Sequence, residues 1–114
     1  MSHYHNPEDW SHIKKLGAHS PESFASFLAF DEAALRGKDN AIPPKYRELI
    51  AIAVALTTQC PYCIEAHSKA AQQAGATEKE VAETVMIATA LRAGGGLTHG
   101  LQALKFFEKA ADND

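Results

Sequence analysis

Cys60-Pro61-Tyr62-Cys63, with His67 four residues beyond the second thiol and Glu48 twelve residues before the first, is where this 114-residue chain could do chemistry. These are its only two cysteines. A bridge between them closes almost no loop and so constrains the unfolded chain very little. The pair is therefore chemistry or metal binding rather than a staple. Disulfide and peroxide chemistry both need a thiolate, because the neutral thiol is a poor nucleophile. Three features could supply one. Cys60 stands at or just before the first turn of a helix opened by Pro61, where free N–H groups and a partial positive charge favour an anion. His67 falls at i+4 from Cys63 and i+7 from Cys60, which puts all three side chains on one helix face, where the imidazole can act as general base. Glu48 precedes an apolar run and should be paired. Bonded to His67, it would hold the ring and raise its basicity.

Two arguments compete over which sulphur attacks. The helix terminus favours Cys60, and the proximity of His67 favours Cys63. The reading adopted is Cys63 as attacking thiol and Cys60 as the partner that resolves the oxidised product into a disulfide.

Other readings stand beside this one. Zinc prefers four ligands, and Cys60, Cys63 and His67 supply three, with Glu48 or His99 as a distant fourth. Cys-Pro-Tyr-Cys also occurs in glutaredoxins, but there it follows a strand, and no strand pattern is present here. Glu48 could be a surface carboxylate favoured by a helix dipole. Tyr62 and His99 could line the pocket; their plainer roles are a packing residue at a helix start and a partly exposed histidine. His3, His5, His12 and His19 lack ligand spacing and read as solvent-facing. Gly94-Gly95-Gly96 has no phosphate-loop lysine and reads as a hinge or close-contact turn.

The elements that must position these residues read as helices throughout. Asn6 caps a short first helix to Lys15, with Pro7 at its first position. Ser20-Pro21-Glu22 opens a second, with Phe24, Phe27, Leu28, Ala34 and Leu35 as its stripe and Gly37 as its stop. The third runs from about Pro44 to Thr58 and is apolar nearly all round, with a buried strand over Ile50 to Leu56 as the alternative. The fourth starts at the CxxC and ends near Ala74 and Gly75. Thr77 with Glu80 forms a capping box for a fifth helix to about Ala93. The glycine run then breaks the chain, and a sixth helix follows from Leu97 to about Ala111. The class is all-α, with about six helices in a single domain spanning 1–114.

A formal charge of −3 and the absence of a Lys/Arg run argue against a nucleic-acid surface. Met1 to Trp10 has no apolar signal core, and Leu49 to Leu56 is too short to cross a bilayer. The expectation is a cytoplasmic protein with no membrane partner, where a CxxC pair rests reduced. Phe24, Phe27, Phe30, Phe106 and Phe107 are read as core or subunit-interface material, which points to self-association.

Glu48, Cys60-x-x-Cys63 and His67 at these spacings resemble the signature of the AhpD-like family, the alkylhydroperoxidase branch of the carboxymuconolactone decarboxylase superfamily. Arg47-Glu48-Leu49-Ile50 and the run into Gly75-Ala76-Thr77 match as well, so the resemblance covers roughly Ile42 to Gly100. It implies an all-helical fold that assembles into trimers or hexamers. It also implies hydroperoxide reduction by the cysteine pair, with electrons from a dithiol donor such as a lipoylated protein and no cofactor. Carried over, Cys63 is the peroxidatic thiol, Cys60 its partner, and Glu48 and His67 the proton relay. One departure is Tyr62, where well-studied members have a histidine between the cysteines. Tyrosine is a poor base near neutral pH, with a reference pKa of about 10. The superfamily's decarboxylase branch does not rely on the cysteine pair, so the motif argues against a lactone decarboxylase. A second function class is a metal-holding or oligomeric interaction module without turnover.

Overall fold

The computed structural model describes residues 6–112, and among them every regular element is helical. A 3-10 segment, Pro7–His12, leads into α1 (Ile13–His19) and α2 (Pro21–Arg36), followed by α3 (Pro44–Thr58), α4 (Pro61–Gln73) and α5 (Glu78–Asp112). His3 and His5 lie outside the described residues.

Several boundaries are set by local chemistry. Asn6 closes a capping box: its side chain accepts from Glu8 N–H, and its own N–H donates to Asp9. The chain then winds as a 3-10 segment before α1, rather than as one helix from Asn6 to Lys15. Pro44 opens α3, and no strand forms over Ile50 to Leu56. Gln59 takes a left-handed conformation (φ 57°) and ends α3, with Cys60 N–H donating to the Ala55 carbonyl at 3.1 Å. A non-glycine residue in this region costs about 1 kcal/mol, so the turn is held by its surroundings. Gly75 (φ 95°) closes α4, where left-handed backbone favours glycine. Thr77 and Glu80 then exchange both capping-box bonds at the start of α5.

The core is small and lies between α3, α4 and α5. Leu49 and Ile52 of α3 meet Ala71 of α4, with Leu56, Ala76 and Val81 packed around them. Ala71 is fully covered, and the alanine lets the two helices approach closely. Arg47 pins α2 and the loop after it to α3 by donating to the carbonyls of Leu35 (2.6 Å) and Ile42 (2.8 Å).

Two expectations need correction. The glycine run does not break the chain, because α5 passes through Gly94, Gly95 and Gly96 without interruption. Each glycine costs a helix about 1 kcal/mol relative to alanine. That weakens a helix without ending it when neither a proline nor a cap offers the backbone another set of partners. The expected fifth and sixth helices are thus one, and the α-helices number five among the described residues. Second, α3 is not buried all round: Ile50 and Val54 are half exposed. Of the phenylalanines read as core or subunit-interface material, most are not in the core of this chain. Phe24 packs against Gly17, but Phe27, Phe30, Phe106 and Phe107 are exposed, the last at 79 %.

The far half of α5 carries Leu97, Leu101, Leu104, Phe106 and Phe107, all exposed. The radius of gyration is 19.4 Å, against about 13 Å for a compact domain of this length. No helix of the described residues is long and apolar enough to cross a membrane.

Candidate active site

The left-handed turn at Gln59 reverses the chain, so that α4 starts beside the α3 from which it came. Cys60 becomes the N-cap of α4, and Pro61 its first residue. Cys60 Sγ accepts from Cys63 N–H at 3.3 Å, so the sulphur occupies the place of a capping oxygen. Cys60 and Cys63 are joined as a disulfide, with Cα atoms 5.3 Å apart. One helical turn further, His67 faces back toward α3.

There it meets Glu48. Nδ1 of His67 lies 2.6 Å from Oε2 of Glu48, and the two side chains are only 18 % and 7 % exposed. A carboxylate withdrawn from water is costly unless paired, and the imidazole is the partner in contact with it. The contact fixes the ring through Nδ1 and turns Nε2 away from Glu48. His67 and Cys63 line one cavity of about 390 Å³, together with Ile50, Val54 and Ala55 of α3. Among the described residues the ring makes no hydrogen bond to either sulphur. In the oxidised pair neither sulphur carries a proton to share.

A second cavity, about 470 Å³, opens on the other side of the disulfide. Both cysteines line it, with Tyr62 from α4 and Trp10, Ile13 and Leu16 from the N-terminal segments. Tyr62 Oη donates to Asp9 Oδ2 at 2.5 Å, and its ring meets Trp10 edge-on, with centroids 5.9 Å apart. On the other flank of the turn, Arg92 of α5 donates to the Thr57 carbonyl at the end of α3.

The fold thus brings Cys60, Tyr62 and Cys63 to the start of α4 and pairs His67, one turn further on, with Glu48 of α3. It leaves His99 on the exposed far half of α5, where it lines none of the cavities around the disulfide. No cluster of three or more His, Cys, Asp or Glu side chains suited to a metal ion occurs among the described residues. Asp9 and Trp10 join the site without a signal in the sequence. Asp9 lies 53 residues from Tyr62, and no local spacing announces the contact.

Comparison with known proteins agrees with this architecture. The model of the carboxymuconolactone decarboxylase family matches residues 21–106. An uncharacterised protein of Haemophilus influenzae is 44 % identical over 107 residues, covering 87 % of this chain and 93 % of its own. An uncharacterised protein from the cox locus of Paracoccus denitrificans is 38 % identical over 84 residues, 74 % of each chain. The crystal structure of an apo carboxymuconolactone decarboxylase family protein from Legionella pneumophila superposes with a TM-score of 0.68 at 34 % identity, covering 90 % of this chain and 89 % of the other.

Proposed function

The chain belongs to the carboxymuconolactone decarboxylase family, and from that footing we propose that it is a thiol-dependent hydroperoxide reductase of the alkylhydroperoxidase type. The observation that carries this reading is that His67, held by the buried Glu48 carboxylate, lines one cavity with Cys63 of the CxxC disulfide. A lactone decarboxylase would have no use for the cysteine pair.

In the reduced enzyme, His67 takes the proton of Cys63, and Glu48 stabilises the imidazolium that results. The Cys63 thiolate attacks the terminal oxygen of the hydroperoxide. An S–O bond forms, the O–O bond breaks, and the leaving alkoxide takes a proton from His67 to depart as an alcohol. Cys63 is then a sulfenic acid. Cys60 attacks its sulphur, water leaves, and the disulfide forms. A dithiol, such as that of a lipoylated protein, returns two electrons and two protons by thiol–disulfide exchange. Tyr62 supplies no base to this sequence, and its hydroxyl hydrogen is directed to Asp9.

We also propose that the protein works as a homo-oligomer, a trimer or hexamer. The apolar side chains along α5 and α2 and the large radius of gyration support this, since a lone chain would hold that surface in water.

The test is peroxide consumption in the presence of a dithiol. Wild type turns over, and Cys63→Ser does not. Full turnover by Cys63→Ser would remove the mechanism. Stoichiometric zinc held by the cysteines in chelator-free protein would favour a metal-holding module instead.

A further inference from the structure

The cavity that Cys63 and His67 line has a single stripe of α3 along one side. Arg47, Ile50, Ala51, Val54, Ala55 and Thr58 recur at helical spacing, and all line it. The stripe runs about 16 Å from Arg47 to Thr58 at 1.5 Å per residue. α4 runs back along α3 from the turn after Thr58. Cys63 therefore lies toward the Thr58 end, and His67, in contact with Glu48, toward the Arg47 end. Between the ends the α3 lining is apolar, and no Asp or Glu lines the cavity among the described residues. The Thr58 hydroxyl is already given to the Val54 carbonyl.

Arg47 brings this cavity a permanent positive charge. Its guanidinium is a planar fork of N–H donors. Nε donates to the Ile42 carbonyl, and Nη1 to the carbonyls of Leu35 and Gly37. Among the described residues Nη2 makes no hydrogen bond, and no carboxylate pairs with the group. Nor is Nη2 sealed from solvent, since no buried side-chain nitrogen of the described residues lacks a partner. The carbonyl tethers fix the fork and leave its charge and one edge to a ligand. Arg47 also borders a neighbouring cavity, with Arg36 and Glu48.

We propose that the Cys63 cavity takes an aliphatic hydroperoxide that carries a carboxylate, with the carboxylate on Arg47 and the peroxide at Cys63, and that Arg47 is the specificity-determining residue. The proposal rests on the peroxidase reading and names the substrate class of that site. The chemistry is the one already given: the hydroperoxide is reduced to a hydroxy acid as Cys63 is oxidised, and the carboxylate leaves unchanged. The apolar stripe favours the chain by burial. A carboxylate entering the cavity loses hydration, and the guanidinium compensates it through charge-assisted hydrogen bonds that an ester receives only weakly. Arg47 keeps partial exposure, so the gain is modest.

A matched pair of substrates gives the test: the terminal hydroperoxide of octanoate and its methyl ester, each turned over by the full-length protein with a dithiol. The acid is expected to have the higher kcat/KM, by about fivefold, the upper end for a partly screened ion pair, and to gain it mainly in KM. The ratio should fall toward unity in Arg47→Gln and be partly kept in Arg47→Lys, which retains the charge but not the fork. Loss of the tethers alone would slow acid and ester alike and leave the ratio standing. Two measurements on wild type need no variant. The advantage of the acid should shrink as salt is raised. Octanoate should also bind the oxidised protein more tightly than octanol in calorimetry, without any turnover. Equal kcat/KM for acid and ester, or a ratio that Arg47→Gln leaves as in wild type, would overturn the proposal while leaving the peroxidase reading intact. Octanoate bound no more tightly than octanol would overturn it as well. If neither hydroperoxide is turned over, the peroxidase reading falls, and the substrate class falls with it.

Discussion

Glu48 on α3 and His67 on α4, nineteen residues apart in the chain, bring Oε2 and Nδ1 to 2.6 Å in a setting nearly closed to water. The contact ties α3 to the helix whose start carries the cysteines. It therefore joins two roles: it fixes an imidazole beside Cys63, and it holds α4 against α3. Both roles are measurable.

Glu48→Gln and His67→Gln should each lower dithiol-dependent peroxide turnover by about 10²-fold or more, the range assigned to a positioned general base and its support. Peroxide kinetics on folded protein check this. Rates within a factor of two of wild type would mean that the pair is structural only.

His67→Ala should also destabilise the fold, because it strands a buried carboxylate. The expected loss is about 3 kcal/mol, the lower part of the range for breaking a buried pair. Urea denaturation measures it. The double variant Glu48→Leu with His67→Ala should recover much of the loss, since no charge is left without a partner.

Ile52 is the largest side chain that is almost fully covered, at 2 % exposure, and it stands at the centre of the α3–α4 contact. Ile52→Ala should cost about 2–4 kcal/mol through lost burial and a residual cavity. Ile50→Ala, one face away and half exposed, should cost much less unless a neighbouring copy covers it. A chemical denaturation midpoint for each variant makes the comparison.

The start of α5 should show an acid sensitivity of known sign. The Glu80 carboxyl is held below its ordinary value, first by the Thr77 backbone N–H and then by Lys45. Lys45 Nζ lies 3.0 Å from the Glu80 carboxylate. A lowered folded-state value means that the contribution is complete above the ordinary glutamate range and fades as pH falls through the folded value. Glu80→Gln should therefore flatten stability against pH in the acid range, lowering stability near neutrality and changing it little below the folded value. Lys45 is shifted upward, chiefly by its bond to Glu80, so its share disappears only as pH rises through that raised value.

The sequence discloses whatever local chemistry decides. Pro44 and the residues up to Thr58 mark the bounds of α3, and Thr77 with Glu80 marks the start of α5, because prolines and caps act over one turn. Cys60, Cys63 and His67 share a helix face by spacing alone. Glu48 can be paired with them by asking where a carboxylate beside an apolar run would find a partner. The glycine run misleads because glycine weakens a helix by degrees, whereas a stop needs competing partners for the backbone. Trp10 and Asp9 are invisible for a different reason. Their contacts with Tyr62 are tertiary, and nothing in the spacing of two distant segments encodes which faces will meet.

The apolar length of α5 bears on the assembly. Phe107→Glu with Leu104→Glu should lower the solution mass to that of one chain by light scattering, with helical content retained near the CxxC. An unchanged oligomeric mass would place the contacts between copies elsewhere, and a wild-type monomer would contradict self-association altogether.

The central claim is that the Glu48–His67 pair makes a thiolate of Cys63, and alkylation of the reduced protein tests it most directly. At pH 7, iodoacetamide should modify Cys63 about tenfold faster in wild type than in His67→Gln, within the roughly thirtyfold that separates a full thiolate from an ordinary cysteine. Equal rates in the two proteins, with Cys63 no faster than a free thiol, would contradict the account.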